Sequence, residues 1–243
     1  MKAYILSAGL GTRLYPITKR TPKVMLPVGN KPLLWYQIML AKCYGFDDIL
    51  INLNRNKKQV TDYFKEGKKF GVKITYAFEK KLLGSAGSIK KAESFFKDEP
   101  FLVIYGDTLS NTNFKKLLKF HKNKKSMCTI SLYETDEPWT QGIIEINKKN
   151  QVINFTEKPP KGKEKSKLSN AGVLIFNKEV FKYIPNGKFY DVGSDLLPKL
   201  IDTKKVFALN TNSYVLDIGT YARYEKVKQD ILNNKVKFPF KIN

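Results

Sequence analysis

Two glycines, an arginine and a Pro-Lys pair stand close together in the stretch SAGLGTRLYPITKRTPKVMLP, Ser7 to Pro27. Gly9 and Gly11 follow a predicted strand, where glycine lets the backbone turn sharply and aim N–H groups at an anion. Arg13 adds a donor that can hold a phosphate through two hydrogen bonds, and Lys23, beside rigid Pro22, adds a fixed point charge. The pattern predicts a phosphate-binding loop. An ordinary turn and a solvated lysine would also fit, and neither the Walker A nor the GxGxxG spacing is present.

A second cluster of small residues, GSAGS from Gly84 to Ser88, opens a predicted helix after the strand KITYAF. Small residues let a flat ring approach the backbone, and the helix N-terminus offers a positive dipole end. The cluster therefore predicts that a flat ring can lie against the backbone here. Its alternative interpretation is a helix N-cap supplied by Ser85 or Ser88.

Two aspartates end predicted strands, Asp107 in LVIYGD and Asp217 in YVLD. Mg²⁺ takes one or two carboxylates and completes its shell with waters and phosphate oxygens. Each aspartate alone is also compatible with a helix N-cap. Because ligands of open parallel sheets bind beyond the carboxyl ends of the strands, two carboxylates at such ends favour a metal site.

Strand-length apolar runs alternate with helical patterns up to about Tyr133, which predicts βαβ units and the α/β class. We expect a doubly wound, mostly parallel, Rossmann-like sheet. The stretch GIIEI, a polar turn and VINFTE then predict a small antiparallel hairpin, followed by a charged loop up to Lys167. We predict one domain over residues 1–243, with halves at about 1–133 and 134–243.

His121 is expected on a solvated helix, without a catalytic role.

The chain has 243 residues, a formal net charge of +22 and a pI near 9.8. Its lysines are spread over most segments, which fits either a general lysine-rich composition or steering of an anionic small substrate. We therefore expect no nucleic-acid partner. The N-terminus enters a strand at once and no long apolar run follows, so neither a leader nor a membrane contact is expected. Two cysteines without metal-ligand spacing favour the cytoplasm.

These motifs together resemble the sugar-1-phosphate nucleotidyltransferases, the family that makes nucleotide sugars. The similarity runs from Met1 to about Tyr224. It includes the signature loop SAGLGTRLYPITKRTPKVMLPV, Ser7 to Val28, and the shorter motifs LLGSAGS, GD, EKP, NAG and LDIGT. The resemblance implies a transferase of the EC 2.7.7 type that moves a nucleoside monophosphate from a triphosphate to a sugar 1-phosphate. Tyr221 departs from the pattern, because a proline is common there.

The resemblance also implies a role for each matching residue. Arg13, Lys23 and Lys158 would be catalytic, and Asp107 and Asp217 would bind Mg²⁺. The first half of the chain would bind the nucleotide and the second half the sugar phosphate. The remaining positions would be nucleotide-binding at Ala8, Gly9, Gly11, Thr12, Arg13, Gly84, Ser85 and Gly87, and sugar-phosphate-binding at Gly142, Glu157, Lys158 and Asn170.

The base and the sugar follow from weaker signals. LLGSAGS is most similar to the corresponding motif of guanylyltransferases for mannose or manno-heptose 1-phosphate, which favours GTP. Thymidylyl, uridylyl or cytidylyl transfer to glucose 1-phosphate or another phosphorylated acceptor is the alternative. A non-catalytic regulatory or nucleic-acid-associated relative is a third interpretation. The expected partners are a nucleoside triphosphate and a sugar 1-phosphate, with a homo-oligomer possible by analogy.

Overall fold

A computed structural model describes residues 1–96 and 99–242. The strands, in chain order, are β1 (Lys2–Leu6), β2 (Pro27–Val28), β3 (Lys31–Pro32), β4 (Asp48–Leu53), β5 (Lys73–Phe78), β6 (Phe101–Tyr105), β7 (Thr108–Ser110), β8 (Cys128–Glu134), β9 (Gly142–Ile146), β10 (Val152–Glu157), β11 (Leu168–Phe176), β12 (Val206–Asn210) and β13 (Val215–Asp217). The helices are α1 (Ile17–Arg20), α2 (Leu33–Cys43), α3 (Lys57–Phe64), α4 (Gly84–Lys91), α5 (Phe114–Lys124), α6 (Leu197–Ile201) and α7 (Tyr221–Leu232).

The contacts divide the chain into two units made of separate segments. The first unit contains Met1–Leu82, Ile104–Asn111 and the chain from Tyr214 onward. The second contains Leu83–Val103 and Thr112–Ser213. Strand β6 therefore starts in the second unit and ends in the first.

The first unit is built on parallel strands. β1 pairs with β4, and β4 pairs with β5, both in parallel register. Ala3, Tyr4 and Ile5 are all buried, as are most residues of β4, which is the pattern of strands covered on both faces. The unit also holds a short antiparallel pair in which β13 runs against β7.

The second unit mixes antiparallel and parallel pairs. β11 pairs antiparallel with β8 and with β9, β9 pairs antiparallel with β10, and β8 pairs in parallel with β12. Phenylalanine rings fill part of its core, with the Phe96 and Phe101 centroids 3.9 Å apart and the Phe101 and Phe181 centroids 5.5 Å apart. Close ring packing of this kind buries a large apolar area and stabilises the unit.

The predicted α/β class is confirmed, with parallel strands and small antiparallel sheets. The hairpin predicted from GIIEI and VINFTE is the antiparallel pair β9 and β10. The short strand β7 and the 3₁₀ turn Lys178–Tyr183 were not predicted, because runs this short leave little periodic signal. No helix among the described residues is long and apolar enough to cross a membrane.

The expectation that His121 is solvated is wrong. His121 lies on the inner face of α5, and only 1% of it is exposed. Its Nδ1 is 2.9 Å from Thr129 Oγ1, and its Nε2 is 3.3 Å from Asn177 Oδ1. Burial lowers the pKa of His121, Lys122 lowers it further, and the Asn177 hydrogen bond and Glu179 oppose this only in part. The folded chain therefore holds a neutral imidazole.

We expect the free energy of unfolding to fall when the pH is lowered through about 6.5, the pKa of a histidine in an unfolded chain. In that range the unfolded chain binds a proton that buried His121 resists, so the slope reaches at most about 1.4 kcal/mol per pH unit from this group. His121→Gln should flatten the slope, since the chain has one histidine. Urea unfolding at pH 7.5, 6.5 and 5.5 measures it. An equal slope in both proteins would contradict the assignment.

Candidate active site

The signature loop follows β1 in the first unit. Two hydrogen bonds hold it, and open space lies beside Gly9. Ser7 N donates to Asn52 Oδ1 at 2.6 Å, and Thr18 Oγ1 donates to Gly11 O at 2.7 Å. Gly11 has a positive φ of 65°, which favours glycine. A methyl group on Gly9 would meet no atom within 4 Å. Ala8 is buried, whereas Thr12 and Arg13 are exposed at the start of a 3₁₀ turn that ends at Leu14.

A cavity of about 410 Å³ lies beside this loop within the first unit. Its size is in the range of small-molecule sites. Its walls are formed by this loop and by the end of β4 with the segment that follows it. The lining residues are Ser7, Gly9, Leu10, Tyr15, Thr18, Lys19, Pro22, Leu53, Asn54, Arg55 and Asn56.

Asp107 and Asp217 are brought together by the short antiparallel pair in the first unit. Asp217 lies opposite Thr108 in the register of β13 and β7, and Ile218 N donates to Asp107 O at 2.9 Å. Asp107 directly precedes Thr108, so the backbones of the two aspartates lie diagonally across this pair and are close together. The two carboxylates predicted as metal ligands thus share one end of the same small sheet.

Cations surround these carboxylates. Lys23 Nζ lies 2.7 Å from Asp107 Oδ2, and Lys23 is only 8% exposed. A methyl group on Gly219 would lie 3.0 Å from Arg13 Nη2, so the Arg13 guanidinium is next to the Asp217 strand end. Burial alone would raise the pKa of Asp107, but the charge and hydrogen bond of Lys23, with help from Arg13, outweigh it and lower the pKa. Asp107 is therefore ionised.

The sequence analysis missed Arg223, which completes this cluster. Arg223 Nη1 lies 2.5 Å from Asp217 Oδ2. The Tyr221 hydroxyl, at the position that departs from the family pattern, donates to Leu14 O at 3.1 Å and to Tyr15 O at 3.0 Å. It thereby ties the start of α7 to the end of the signature loop. The departure at Tyr221 was a visible signal, whereas nothing distinguished Arg223 from other surface cations.

Gln37 is a second residue that the sequence analysis missed. It is 3% exposed on α2, and its Nε2 donates to Tyr105 O at 3.0 Å and Thr108 O at 2.9 Å. Both carbonyls flank the turn that carries Asp107. A single amide in the apolar run LLWYQIMLAKC was the signal that could have found it. Gln37 holds the Asp107 turn in place from the core side.

The GSAGS cluster opens α4 in the second unit, and both of its glycines pack closely against backbone atoms. A methyl group on Gly84 would lie 2.5 Å from Tyr190 O, and one on Gly87 would lie 2.6 Å from Lys188 O. The φ of Gly84 is 71°. These contacts explain the glycines by close packing. A base-binding role for Gly84, Ser85 and Gly87 stays a prediction.

Neither serine of this cluster caps α4. The residue before the helix is Leu83, and no side chain caps the helix start. Ser85 Oγ instead donates to Asp191 Oδ2 at 2.7 Å and accepts from Val192 N at 2.7 Å. Ser88 Oγ donates back to Gly84 O at 2.7 Å. The capping interpretation is thus replaced by a link between α4 and the Asp191 turn.

The residues expected to bind the sugar phosphate also lie in the second unit. Gly142 is paired with Glu157 across β9 and β10, and a methyl group on Gly142 would lie 3.0 Å from Glu157 Oε2. Lys158 Nζ lies 3.6 Å from Glu157 Oε1, and both side chains are about half exposed. Asn170 Oδ1 accepts from Gly172 N at 2.9 Å. A carboxylate and an ammonium thus stand side by side at the end of β10.

The donor set of the first unit fits a magnesium ion shared with a substrate. No group of three or more His, Cys, Asp or Glu side chains that could hold a metal occurs among the described residues. Two carboxylates alone suit Mg²⁺, which keeps waters and takes phosphate oxygens to complete its shell. Zinc or calcium would need more ligands from the protein.

A family model described as nucleotidyl transferase matches residues 2–234. The chain belongs to this family. The family predicted from the signature loop, GD and LDIGT motifs is thereby confirmed. The positions assigned to nucleotide, sugar and metal within it stay predictions.

Curated relatives in the nucleotidyl transferase family carry different specificities. UTP–glucose-1-phosphate uridylyltransferase of Synechocystis sp. is 36% identical over 251 aligned positions, which cover 98% of this chain and 65% of that protein. Mannose-1-phosphate guanyltransferase 2 of Candida glabrata is 33% identical over 224 positions, which cover 90% and 61%. The chain spans between about half and two thirds of the length of the curated relatives it matches.

Solved structures share the fold over nearly the whole chain. HddC from Yersinia pseudotuberculosis is 28% identical with a TM-score of 0.82, and the match covers 95% of this chain and 99% of that one. The structure of HddC complexed with GMP-PN is 27% identical with a TM-score of 0.79 and the same coverage.

Gln37→Leu should lower the free energy of unfolding by about 1–3 kcal/mol, because it leaves two backbone carbonyls without their buried donor. Gln59→Leu is the matched control. Gln59 Nε2 also donates to a carbonyl, Arg20 O at 2.6 Å, but at an exposed site where water can replace it. Urea unfolding of both variants measures the difference, and equal losses would count against the role of Gln37 in holding the Asp107 turn.

Gly84→Ala should destabilise the chain by about 1–3 kcal/mol more than Gly187→Ala. Both glycines belong to the second unit and have similar positive φ angles, 71° and 67°. A methyl group on Gly187 would meet no atom within 4 Å, so the difference isolates the clash with Tyr190 from the backbone strain. Thermal unfolding of the two variants checks it, and similar melting temperatures would contradict close packing at Gly84.

Proposed function

We propose that the chain transfers a nucleoside monophosphate from a nucleoside triphosphate to a sugar 1-phosphate and releases pyrophosphate. The observation that carries the proposal is the convergence of Arg13 and Lys23 on Asp107 and Asp217 in the first unit. Such a cluster suits a reaction between two polyanions. Family membership supports the same reaction class.

The chemistry needs positioning and charge neutralisation more than acid or base groups. An oxygen of the sugar 1-phosphate, already an anion, attacks the α-phosphorus while the bond to the leaving pyrophosphate breaks. The proposed role of Arg13 is to bind the leaving pyrophosphate, and that of Lys23 is to neutralise charge near the α-phosphate. Preorganised cations at a largely buried position stabilise the developing charge. The burial of Lys23 supports its part in this scheme.

Asp107 and Asp217 are the residues that would hold Mg²⁺. A bound Mg²⁺ would supply electrostatic stabilisation for the phosphate oxygens during transfer. The two carboxylates suit this role because they are neighbours on one small sheet and Asp107 is ionised. Gln37 keeps the Asp107 turn in position from the core.

In the second unit we assign the sugar phosphate to Gly142, Glu157, Lys158 and Asn170. The exposed ammonium of Lys158 is suited to the phosphate, and the carboxylate of Glu157 can accept hydrogen bonds from sugar hydroxyls. The missing side chain at Gly142 lets the Phe155 ring and Glu157 Oε2 approach its backbone closely. Lys158 has a positive φ of 45°, an uncommon backbone conformation for a lysine that favours a functional interpretation.

For the finer specificity we propose GTP with a mannose or manno-heptose 1-phosphate. The LLGSAGS motif, the Candida glabrata guanyltransferase and the GMP-PN complex of HddC support this choice. UTP with glucose 1-phosphate is the second candidate, because the uridylyltransferase of Synechocystis sp. is the more similar relative at 36% identity. The non-catalytic alternative is disfavoured, since Arg13, Lys23, Asp107, Lys158 and Asp217 are all present.

Pyrophosphate release is the test of this function. The purified chain is assayed with Mg²⁺, each of five nucleoside triphosphates and a panel of hexose and heptose 1-phosphates. We expect turnover with one pair, GTP and a manno-configured sugar. Turnover only with UTP and glucose 1-phosphate would reassign the specificity. A folded chain that releases pyrophosphate with no pair would contradict the proposed activity.

Lys23→Met and Asp107→Asn should each lower kcat by about 10²-fold or more, because each removes a charge placed against the reacting phosphates. The matched controls are Lys58→Met and Asp62→Asn. Lys58 and Asp62 form an exposed ion pair of the same type in the first unit, with Nζ and Oδ2 2.6 Å apart. The controls should keep kcat within about twofold. Full activity of Asp107→Asn would refute the proposed metal ligand.

A further inference from the structure

The Asp217 carboxylate is occupied on both oxygens by groups of the chain. Gly219 N donates to Oδ1 at 2.7 Å, and Arg223 Nη1 lies 2.5 Å from Oδ2. The side chains of Arg223 and Asp217 are only 20% and 23% exposed. A charge-assisted contact this short and this sheltered is stronger than an ordinary surface pair. A metal ion that binds Oδ2 of Asp217 therefore competes with the guanidinium for that oxygen.

Arg223 stands where the helix itself disfavours a cation. Thr220 Oγ1 accepts from Arg223 N at 3.3 Å as the N-cap of α7, so Arg223 belongs to the first turn. The positive end of the helix dipole repels a cation there. Helix stability thus gives no reason for an arginine at this position, whereas the contact with Asp217 accounts for it.

The charges of the cluster are unbalanced without substrate. Arg13, Lys23 and Arg223 face two carboxylates, Asp107 and Asp217, so the cations outnumber the anions. A free divalent cation would raise this excess. A triphosphate would offset the excess, and its phosphate oxygens would accept hydrogen bonds from the Arg223 guanidinium.

We propose that Arg223 competes with divalent metal for Asp217 Oδ2, so that the metal binds tightly only together with a triphosphate. The triphosphate draws Arg223 away, and Asp217 becomes available to the metal at that moment. This inference rests on the proposed assignment of Asp107 and Asp217 as metal ligands. Arg223 is a positioning residue in this scheme, because it sets when the carboxylate is available.

Binding of Mn²⁺ alone, followed by the electron paramagnetic resonance signal of free Mn²⁺, tests the competition. Arg223→Gln should bind Mn²⁺ about tenfold or more tightly than the unchanged chain, as expected for loss of a competing charge pair. Lys228→Gln is the matched control. Lys228 lies on the same helix and has its own partner, Glu225, at 2.8 Å, so its loss removes one charge without touching Asp217. The control should leave Mn²⁺ affinity within about twofold of the unchanged chain.

The second measurement uses the Mn²⁺ complex of inorganic tripolyphosphate, which needs no knowledge of the base. Calorimetry should show that Arg223→Gln binds this complex no more tightly than the unchanged chain. The gain is expected only for the free metal, because the triphosphate already removes Arg223 from Asp217. An equal gain for both ligands would overturn the proposal, since Arg223 would then act only as a general repulsive charge.

Arg223→Lys guards against a folding failure of the glutamine variant. It keeps the positive charge but loses the planar guanidinium. It should therefore also bind free Mn²⁺ more tightly than the unchanged chain, by a smaller factor than Arg223→Gln. Circular dichroism confirms the fold of each variant. Unchanged Mn²⁺ affinity in both folded variants overturns the proposal, as does the absence of Mn²⁺ binding in every protein. If Mn²⁺ behaves as expected but no sugar phosphate turns over, the proposed activity fails and the competition stands.

Discussion

The backbone pairing of β13 with β7 is the constraint on which the candidate site depends. It joins two strand ends that are far apart in the sequence and sets Asp217 opposite Thr108, beside Asp107. The hydrogen bond from Ile218 N to Asp107 O completes the pairing. Backbone pairing of this kind holds two like charges close together, and the cations Lys23 and Arg223 then make that proximity tolerable.

Two further side chains of the first unit support this pair. Gln37 on α2 holds the carbonyls on both sides of the Asp107 turn. The Tyr221 hydroxyl ties the start of α7 to the end of the signature loop, so the loop that carries Arg13 and the strand that carries Asp217 are fixed to one another. A phosphate-transfer site needs charges at defined positions, and these contacts supply the positions.

The second unit shows a different use of glycine. In LLGSAGS the glycines allow the backbone at Lys188 and Tyr190 to approach α4, and Ser85 links the same helix to Asp191. The motif predicted to contact the base therefore has a packing function in this chain. Any exchange of its residues that is designed to change the base must respect the contacts with residues 188–191.

Local sequence patterns were sufficient to predict the α/β class, the order of the long strands and helices, the family, and the positions of Asp107 and Asp217 at strand ends. Those features depend on local periodicity and on motifs that neighbouring residues encode. Four features became visible only in the folded chain: Arg223 contacts Asp217, Gln37 supports the Asp107 turn, His121 is buried, and Gly84 packs against Tyr190. Most of these pairs join residues far apart in the chain. Their contacts arise from packing between elements, which no local pattern in the sequence records.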